Sequence, residues 1–200
     1  MKIRVLVATV VLALCTSAFA AEEAKKQEMS AEEKAMMEAM MKAMTPGDAH
    51  KLLDGMVGTF DAKVTSSMDP SKPPEVSNGT SENSWVMGNR YVMQKFTGSF
   101  MGMPFQGVGY TGYDNIKKKY VGTWMDTMTT SMMISDGKAD ADGKSITFSS
   151  TMDDPMTGKT SPVKEKVTVV DADHHMLEMW GAGPDGKMFK MMEINYTRKK

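Results

Sequence analysis

Apolar and polar residues alternate in short runs from Met56 to the end of the chain. In the clearest run, Val163–Val170, valines at 163, 167 and 169 alternate with two lysines and a threonine. The run Ser145–Ser149 places Ile146 and Phe148 on one side. A period of two puts alternate side chains on opposite faces of a β-strand. The pattern therefore predicts strands with one face turned toward a core.

Turn residues separate these runs. Among the predicted turns are Asn78–Gly79, Gly88–Asn89, Asp136–Gly137 and Asp142–Gly143, which combine residues that tolerate a positive φ. About ten strands lie between the predicted turns. An antiparallel sheet of this size has to close or pack on itself to hide its edges. The sequence therefore predicts an all-β barrel domain over residues 46–200.

A helical pattern precedes the strands. Residues 21–44 are predicted to form an amphipathic helix, with Ser30 and Glu33 as its capping box. Its apolar stripe consists of methionines: Met29, Met36, Met37, Met40, Met41 and Met44. A short second helix is predicted from Pro46 to Leu53, ended by Gly55. Residues 21–45 are thus a methionine-rich leader, outside the barrel or across one of its ends.

The first twenty residues have the pattern of a secretory signal peptide. A basic start is followed by the apolar run Val5–Leu14, and then by Ala18 and Ala20, which predict cleavage after Ala20. The apolar run is too short for a membrane span. Cleavage would remove Cys15, the only cysteine, and leave neither a disulfide nor a transmembrane segment. We expect a periplasmic or secreted bacterial protein.

The amino-acid composition argues against some classes of protein and shows one unusual feature. The 200 residues include 24 basic and 25 acidic side chains, with a net charge of −1, which gives no reason to expect nucleic-acid binding. A hydrophobic fraction of 41% argues against disorder. Methionine occurs 24 times, whereas leucine, usually among the commonest residues, occurs 6 times. Because methionine packs flexibly, we interpret the excess as filler of the core.

Methionine also permits a second interpretation. Thioethers are soft ligands for Cu(I), and methionine absorbs oxidants reversibly as the sulfoxide. Met36, Met40 and Met44 recur at helical spacing, so they are the candidate metal ligands. A methionine-based copper(I) or oxidant buffer is therefore the alternative function.

No motif predicts catalysis or a cofactor. Residues 107–112 match G-x-G-x-x-G, but a turn follows where the dinucleotide motif needs a helix. His174 and His175 are adjacent, so on a strand they point to opposite faces and chelate poorly. An enzyme using Asp114 or Asp126 as a base is the least favoured hypothesis, because neither has a predictable partner.

A string of spaced motifs resembles a known family. The motifs are Trp85-Val-Met-Gly88-Asn-Arg90-Tyr91, Gly107, Gly112-Tyr113-Asp114, Tyr120, Trp124-Met-Asp126 and Met192-Glu193-Ile-Asn-Tyr196. They resemble the secreted bacterial family called domain of unknown function 1579, over about residues 49–199. That family is similar to the calycins, the lipocalin-like and fatty-acid-binding barrels. The resemblance implies a calycin-like antiparallel barrel but no established activity.

The resemblance also implies a closing contact. Gly58-Thr-Phe60 lies where calycins usually carry Gly-x-Trp on the first strand, and Phe60 departs from that pattern. In calycins an arginine from the barrel's end packs over the tryptophan. Arg198 is the candidate here, over a phenylalanine that is a weaker partner for a cation.

The candidate site combines arginines and aromatic residues. After signal cleavage only Arg90 and Arg198 remain as arginines. Each would either pair with a buried acid such as Asp126 or Glu193, or bind the anionic head of a ligand. The aromatic residues serve either the core or a ligand. The predicted ligand-binding residues are Trp85, Arg90, Tyr113, Trp124, Asp126, Tyr196 and Arg198. The predicted function is a binding module for a small apolar or amphipathic molecule, of undetermined oligomeric state.

Overall fold

The chain forms a closed antiparallel barrel of ten strands. The computed structural model describes residues 29–154, 157–183 and 185–200. The strands are β1 Gly58–Ser66, β2 Glu75–Val86, β3 Tyr91–Phe100, β4 Met103–Asp114, β5 Lys119–Asp126, β6 Met133–Ala139, β7 Ser145–Asp153, β8 Thr160–Val169, β9 His174–Ala182 and β10 Met188–Arg198. Each strand pairs with its neighbours in sequence, and β10 pairs with β1. The all-β antiparallel barrel with one N-terminal methionine-rich helix is confirmed.

Alternate residues of each strand face the inside of the barrel. On β1, Phe60, Ala62 and Val64 are buried, and the residues between them are exposed. On β7, Ile146 and Phe148 are buried as predicted. Burying such side chains contributes about 1.5–3 kcal/mol each. Alternation thus supplies the core and determines the register of every strand pair.

A short helical segment caps one end of the barrel. It contains α2, Asp48–Lys51, and a 3-10 turn, Asp54–Met56. Leu53 is fully buried against the core. The Asn83 side chain donates to the Met56 carbonyl at 2.7 Å, and the Tyr120 hydroxyl donates to the Ala49 carbonyl at 2.8 Å. We call this end of the barrel the capped end and the opposite end the open end.

The cap corrects the predicted second helix. A short second helix does lie within the predicted range, Pro46 to Leu53, but it is shorter: Pro46 precedes α2, and Gly55 lies inside the 3-10 turn that follows. Two short elements allow both Leu53 and Met56 to turn into the barrel and pack on its inner face. Tertiary packing overrides the local signals here.

Two predicted turns are strand residues instead. Gly79 lies within β2 and Gly137 within β6. A Cβ on Gly79 would lie 2.5 Å from the Phe96 ring, and a Cβ on Gly137 would lie 2.5 Å from the Phe148 ring. These glycines leave space for aromatic rings that lie against the barrel wall. This explains why glycine occurs at these two positions although no turn forms there.

The N-terminal helix α1 covers Ala31–Met44. Its predicted capping box is confirmed: the Ser30 amide donates to the Glu33 carboxylate at 2.8 Å, and the Glu33 amide donates to the Ser30 hydroxyl at 3.1 Å. Residues 21–28 of the predicted helix and the predicted signal peptide, 1–20, lie outside the described residues. The chain divides into two compact units, 1–37 and 38–200. The proposed division at residues 45 and 46 stays a prediction.

The interpretation of methionine as core filler is wrong. Among the methionines that the structure describes, only Met56 is buried. The buried core instead consists mainly of aromatic and β-branched residues, which have high strand propensity. The methionines therefore need another explanation.

Candidate ligand-binding site

The inner face of the barrel is less completely buried toward the open end than at the capped end. At the capped end inward side chains such as Phe60, Val92 and Tyr120 are at most 3% exposed. Toward the open end, inward side chains keep partial contact with solvent: Gln94, Phe105, Trp124, Met133, Leu177, Met179 and Met192. Because these residues line a closed barrel, solvent reaches them through its open end.

Trp124 lies flat on a glycine-lined part of this wall. A Cβ on Gly107 would lie 2.2 Å from the indole ring, and one on Gly109 would lie 2.8 Å from it. The indole N–H donates to the Asp126 carboxylate at 3.0 Å, which also accepts the Met128 amide at 2.9 Å. The G-x-G-x-x-G segment is thus part of β4 and holds a tryptophan, and no helix follows it.

Exposed methionines surround the open end. We call this set the methionine rim. It consists of Met68, Met101, Met103, Met128, Met132, Met152 and Met188. Each of the five connections at this end has a rim methionine within it or at most two residues away. On the strands and turns of the capped end, Met87 is the one exposed methionine that the described residues include. Among the described barrel residues, exposed methionine thus concentrates at the open end.

A chain of polar side chains crosses the interior. The Gln94 amide donates to the Ser81 hydroxyl at 2.9 Å and to the Tyr196 hydroxyl at 3.3 Å. Ser81 in turn donates to Asn83 at 2.8 Å. Burial raises the pKa of Tyr196 to about 12, so its hydroxyl is protonated at neutral pH. These side chains therefore place hydrogen-bonding atoms on the inner face of the barrel, among its apolar residues.

Glu165 is a buried acid on the same inner face. It lies between Val163 and Val167 on β8, opposite Phe148 and Met179 of the neighbouring strands. The residue is 8% exposed, and no hydrogen bond or ion pair reaches it from the described part of the chain. Burial raises the pKa of its carboxyl from 4.5 to about 7.

Arg198 closes the capped end as the calycin resemblance implies. Its guanidinium lies 4.6 Å from the centre of the Phe60 ring. It donates to the Val57 carbonyl at 2.7 Å and to the Ala172 carbonyl at 2.9 Å, and it lies 3.5 Å from Asp173. The phenylalanine thus keeps the cation–π contact.

Family comparison agrees with this geometry. A family model described as "Protein of unknown function (DUF1579)" matches residues 45–198. The chain belongs to the DUF1579 family. A comparison with curated proteins finds no match.

Two solved structures show the same fold as this DUF1579 chain. Rv2717c from M. tuberculosis is 12% identical, with a TM-score of 0.56 over 78% of this chain and 100% of that chain. The S-type phycobiliprotein lyase CPES from Guillardia theta is 11% identical, with a TM-score of 0.53 over 80% of this chain and 97% of that chain. At these identities the likeness shows the calycin-like fold alone.

Several predicted site residues of the DUF1579 barrel make contacts that stabilise its capped end. Arg90 donates to the Met44 carbonyl at 2.5 Å and to the Met87 carbonyl at 3.0 Å. The Trp85 indole donates to Asp54 at 3.1 Å. Tyr113 packs edge-on against Tyr120, with ring centres 5.0 Å apart, and against His50 at 5.9 Å.

The predicted pairing of the arginines with Asp126 or Glu193 is wrong. Both guanidinium groups instead satisfy backbone carbonyls at the capped end. Asp126 binds Trp124, and Glu193 binds Lys190 at 2.5 Å. Backbone carbonyls attract the guanidinium groups because these carbonyls lie at element ends and lack strand partners. A ligand-binding role for any predicted residue stays a prediction.

The two adjacent histidines point to opposite faces, as the strand geometry predicts. His174 is exposed and bonds to Asp171 at 2.8 Å. His175 faces inward and stacks on Tyr196, with ring centres 4.2 Å apart. Burial lowers the pKa of His175 to about 4. Within the described residues, no group of three or more His, Cys, Asp or Glu side chains is arranged to hold a metal ion.

The structure thus brings together only part of the predicted site. Trp124 and Asp126 meet near the open end, and Tyr196 faces the interior with them. Sequence reasoning missed Glu165 and Gln94. Both interrupt an apolar alternation on the inward face, Val163-x-Glu165-x-Val167 and Val92-x-Gln94-x-Phe96. A polar residue in phase with a buried stripe was the available signal.

Asp114, one candidate base, accepts the Ile116 amide at 2.8 Å and the Lys117 amide at 2.9 Å in a turn. These hydrogen bonds lower its pKa, which weakens it as a base. The helices that the structure describes lack the length and hydropathy of a membrane span.

Proposed function

We propose that this DUF1579 barrel binds a small apolar or amphipathic molecule that enters through its open end. The observation that carries the proposal is the half-buried apolar inner wall formed by Trp124, Phe105, Met179 and Met192, which keeps contact with solvent. Apolar surface of this kind favours transfer of a ligand out of water by about 25 cal/mol per Å². The flexible methionine rim would adapt to ligands of different shape.

The proposed setting is the periplasm or the outside of the cell. The sequence pattern of residues 1–20 supports secretion. A protein without cysteine after cleavage is compatible with an oxidising compartment. Detection of the chain starting at Ala21 in a periplasmic or culture fraction would test this part of the proposal.

Probe binding tests the ligand-binding function. N-phenyl-1-naphthylamine is an uncharged dye whose fluorescence rises in apolar surroundings. We expect the protein to bind it, and Trp124→Ala to weaken binding about tenfold through loss of apolar contact. Trp180→Ala is the matched control, because Trp180 lies outside the barrel under Lys164, 5.6 Å from its ammonium.

The proposal also predicts a natural ligand. Native mass spectrometry of the protein purified from its own host should show added mass that is lost on denaturation. No added mass and no dye binding would refute the proposal. Equal loss of dye binding in the Trp124 and Trp180 variants would refute the assignment of the site to the interior.

A second proposed function is Cu(I) binding or oxidant buffering by α1. The observation that favours it is the exposure of Met36, Met40 and Met44, which is 63%, 57% and 52%. Their spacing in a confirmed helix places all three on one face. Triple substitution with leucine should lower the Cu(I) affinity measured against a competing chelator. Leucine at Met68, Met101 and Met188 is the matched control, and equal affinities in both variants would contradict this role of the helix.

A further inference from the structure

Glu165 is an ionisable group that the fold buries without a partner. The row of inward residues around it is apolar, with Phe148 on one side and Met179 followed by Met192 on the other. Phe148 is 4% exposed, whereas the two methionines are half-buried. Glu165 therefore faces an apolar surface that solvent reaches from the open end. An isolated buried carboxylate is costly unless a partner is supplied.

The described interior provides no cation for this carboxylate. The titratable or charged side chains that face inward with it are Tyr113, Tyr120, Asp126, His175, Tyr196 and Arg198. The cap adds His50, which is buried against Tyr113 and whose pKa burial lowers. Arg198 is held at the capped end by backbone carbonyls. His175 is uncharged at neutral pH because burial lowers its pKa.

The lysines nearest in sequence lie on the outer face. Lys164 lies over Trp180, and Lys166 pairs with Asp140 at 3.1 Å. The lysines on the other strands are likewise at outward positions of the alternation. The lysines of the open-end connections, Lys72, Lys159 and Lys187, are exposed, and no ion pair joins a described lysine to Glu165. A positive partner for the ionised form of Glu165 would therefore come from outside the described chain.

We infer that the ligand carries a cationic amine, whose ammonium is bound by the Glu165 carboxylate while its apolar body lies along the inner wall. This inference rests on the ligand-binding function proposed above and names the class of ligand. A carboxylate ligand is disfavoured, because two like charges would meet where no arginine is available. A single carboxylate also offers too few ligands for a divalent metal ion.

Neighbouring groups complete the amine site. Aromatic faces attract cations, and Phe105 and Trp124 are half-buried inward residues that keep contact with solvent. The Tyr196 hydroxyl accepts from Gln94, and the charge of Glu165 adds to the burial that raises the pKa of Tyr196. An ammonium has three donors, and the two oxygens of the Glu165 carboxylate are acceptors for them.

Head-group competition tests the inference. The competition measures displacement of bound N-phenyl-1-naphthylamine from the whole protein at pH 8 by n-decylamine, 1-decanol or decanoate. The ionic probes are used below their micellar concentrations and 1-decanol below its solubility limit. These probes share one alkyl chain and differ in charge. We expect n-decylamine to displace the dye at a concentration at least about tenfold lower than the other two. Glu165→Gln should remove this preference and leave decanol unchanged.

Glu82→Gln is the matched control, since Glu82 is exposed on the outer face of β2 and its loss changes the net charge equally. The control should keep the amine preference. Equal displacement by n-decylamine and decanol, or an amine preference that survives Glu165→Gln, would overturn the inference and leave the proposed binding function intact. Failure of the dye and all three probes to bind would overturn both.

Discussion

Replacing Glu165 with glutamine should change how the stability of the barrel depends on pH. Burial raises the pKa of this carboxyl from 4.5 in its ordinary state to about 7 in the folded chain. Between these values the folded chain holds a proton that the unfolded chain releases. The free energy of unfolding therefore falls as pH rises through this range.

The size of the effect follows from the shift. Each pKa unit corresponds to about 1.4 kcal/mol, so a shift from 4.5 to about 7 is worth about 3 kcal/mol above pH 7. This is an upper limit, because solvent reaches the half-exposed wall beside the carboxyl. Glutamine keeps the shape of the side chain and carries no charge at any of these pH values. The Glu165→Gln variant should thus gain about 3 kcal/mol over the parent as pH rises from 4.5 to 8.5.

Urea unfolding followed by tryptophan fluorescence measures this difference. Glu82→Gln controls for the loss of a negative charge on the outer face, and it should track the parent at both pH values. Other titrating groups are common to parent and variant, so they cancel in the comparison. A constant difference between Glu165→Gln and the parent would refute the reasoning, because it would mean that Glu165 titrates alike in the folded and unfolded chains.

Three further predictions concern the core and the capped end. His175→Phe keeps a ring on Tyr196 and removes a group whose pKa burial lowers from 6.5 to about 4. Because the unfolded chain binds the proton first as pH falls, the free energy of unfolding of the parent should drop by about 3 kcal/mol between pH 6.5 and 4. Urea unfolding should show no such drop from this site in the variant, and an equal drop in both proteins would contradict the reasoning. Arg198→Ala removes donors to the Val57 and Ala172 carbonyls and the contact with Phe60, so it should cost about 2–4 kcal/mol in urea unfolding. Arg198→Lys should recover only part of that loss, and full recovery would show that charge alone matters. Gly107→Ala places a Cβ 2.2 Å from Trp124 and should lower the free energy of unfolding by about 1–3 kcal/mol. Gly47→Ala is the control, because no atom lies within 4 Å of its added Cβ. Equal midpoints of thermal unfolding for the two variants would refute this function of Gly107.

Local patterns were sufficient to predict the strands and the start of α1. A period of two along Val163–Val170 and a serine three residues before a glutamate both act within a few residues of the chain. Such patterns depend on backbone geometry and near-neighbour hydrogen bonds. They predicted ten strands, the inward positions of Ile146 and Phe148, and the capping box of Ser30. The family resemblance added that Phe60 and Arg198 meet.

Closure of the barrel decided what the patterns could not. Gly79 and Gly137 lie in dipeptides that are typical of turns, yet each leaves space for an aromatic ring from the adjacent strand. Methionine is an apolar residue that commonly fills cores, yet most of the described methionines lie at the rim and on α1. The sequence left the contacts of the arginines open, and in the structure both donate to backbone carbonyls at the capped end.

Glu165 shows the physical reason most clearly. Its place in the alternation gives it an inward position, but its burial depends on Phe148, Met179 and the rest of the closed wall. Desolvation and the absence of an internal cation are properties of residues that lie far apart in sequence and meet only when β10 pairs with β1. The chemistry of the interior therefore follows from the tertiary structure, and the faces of the strands follow from local sequence.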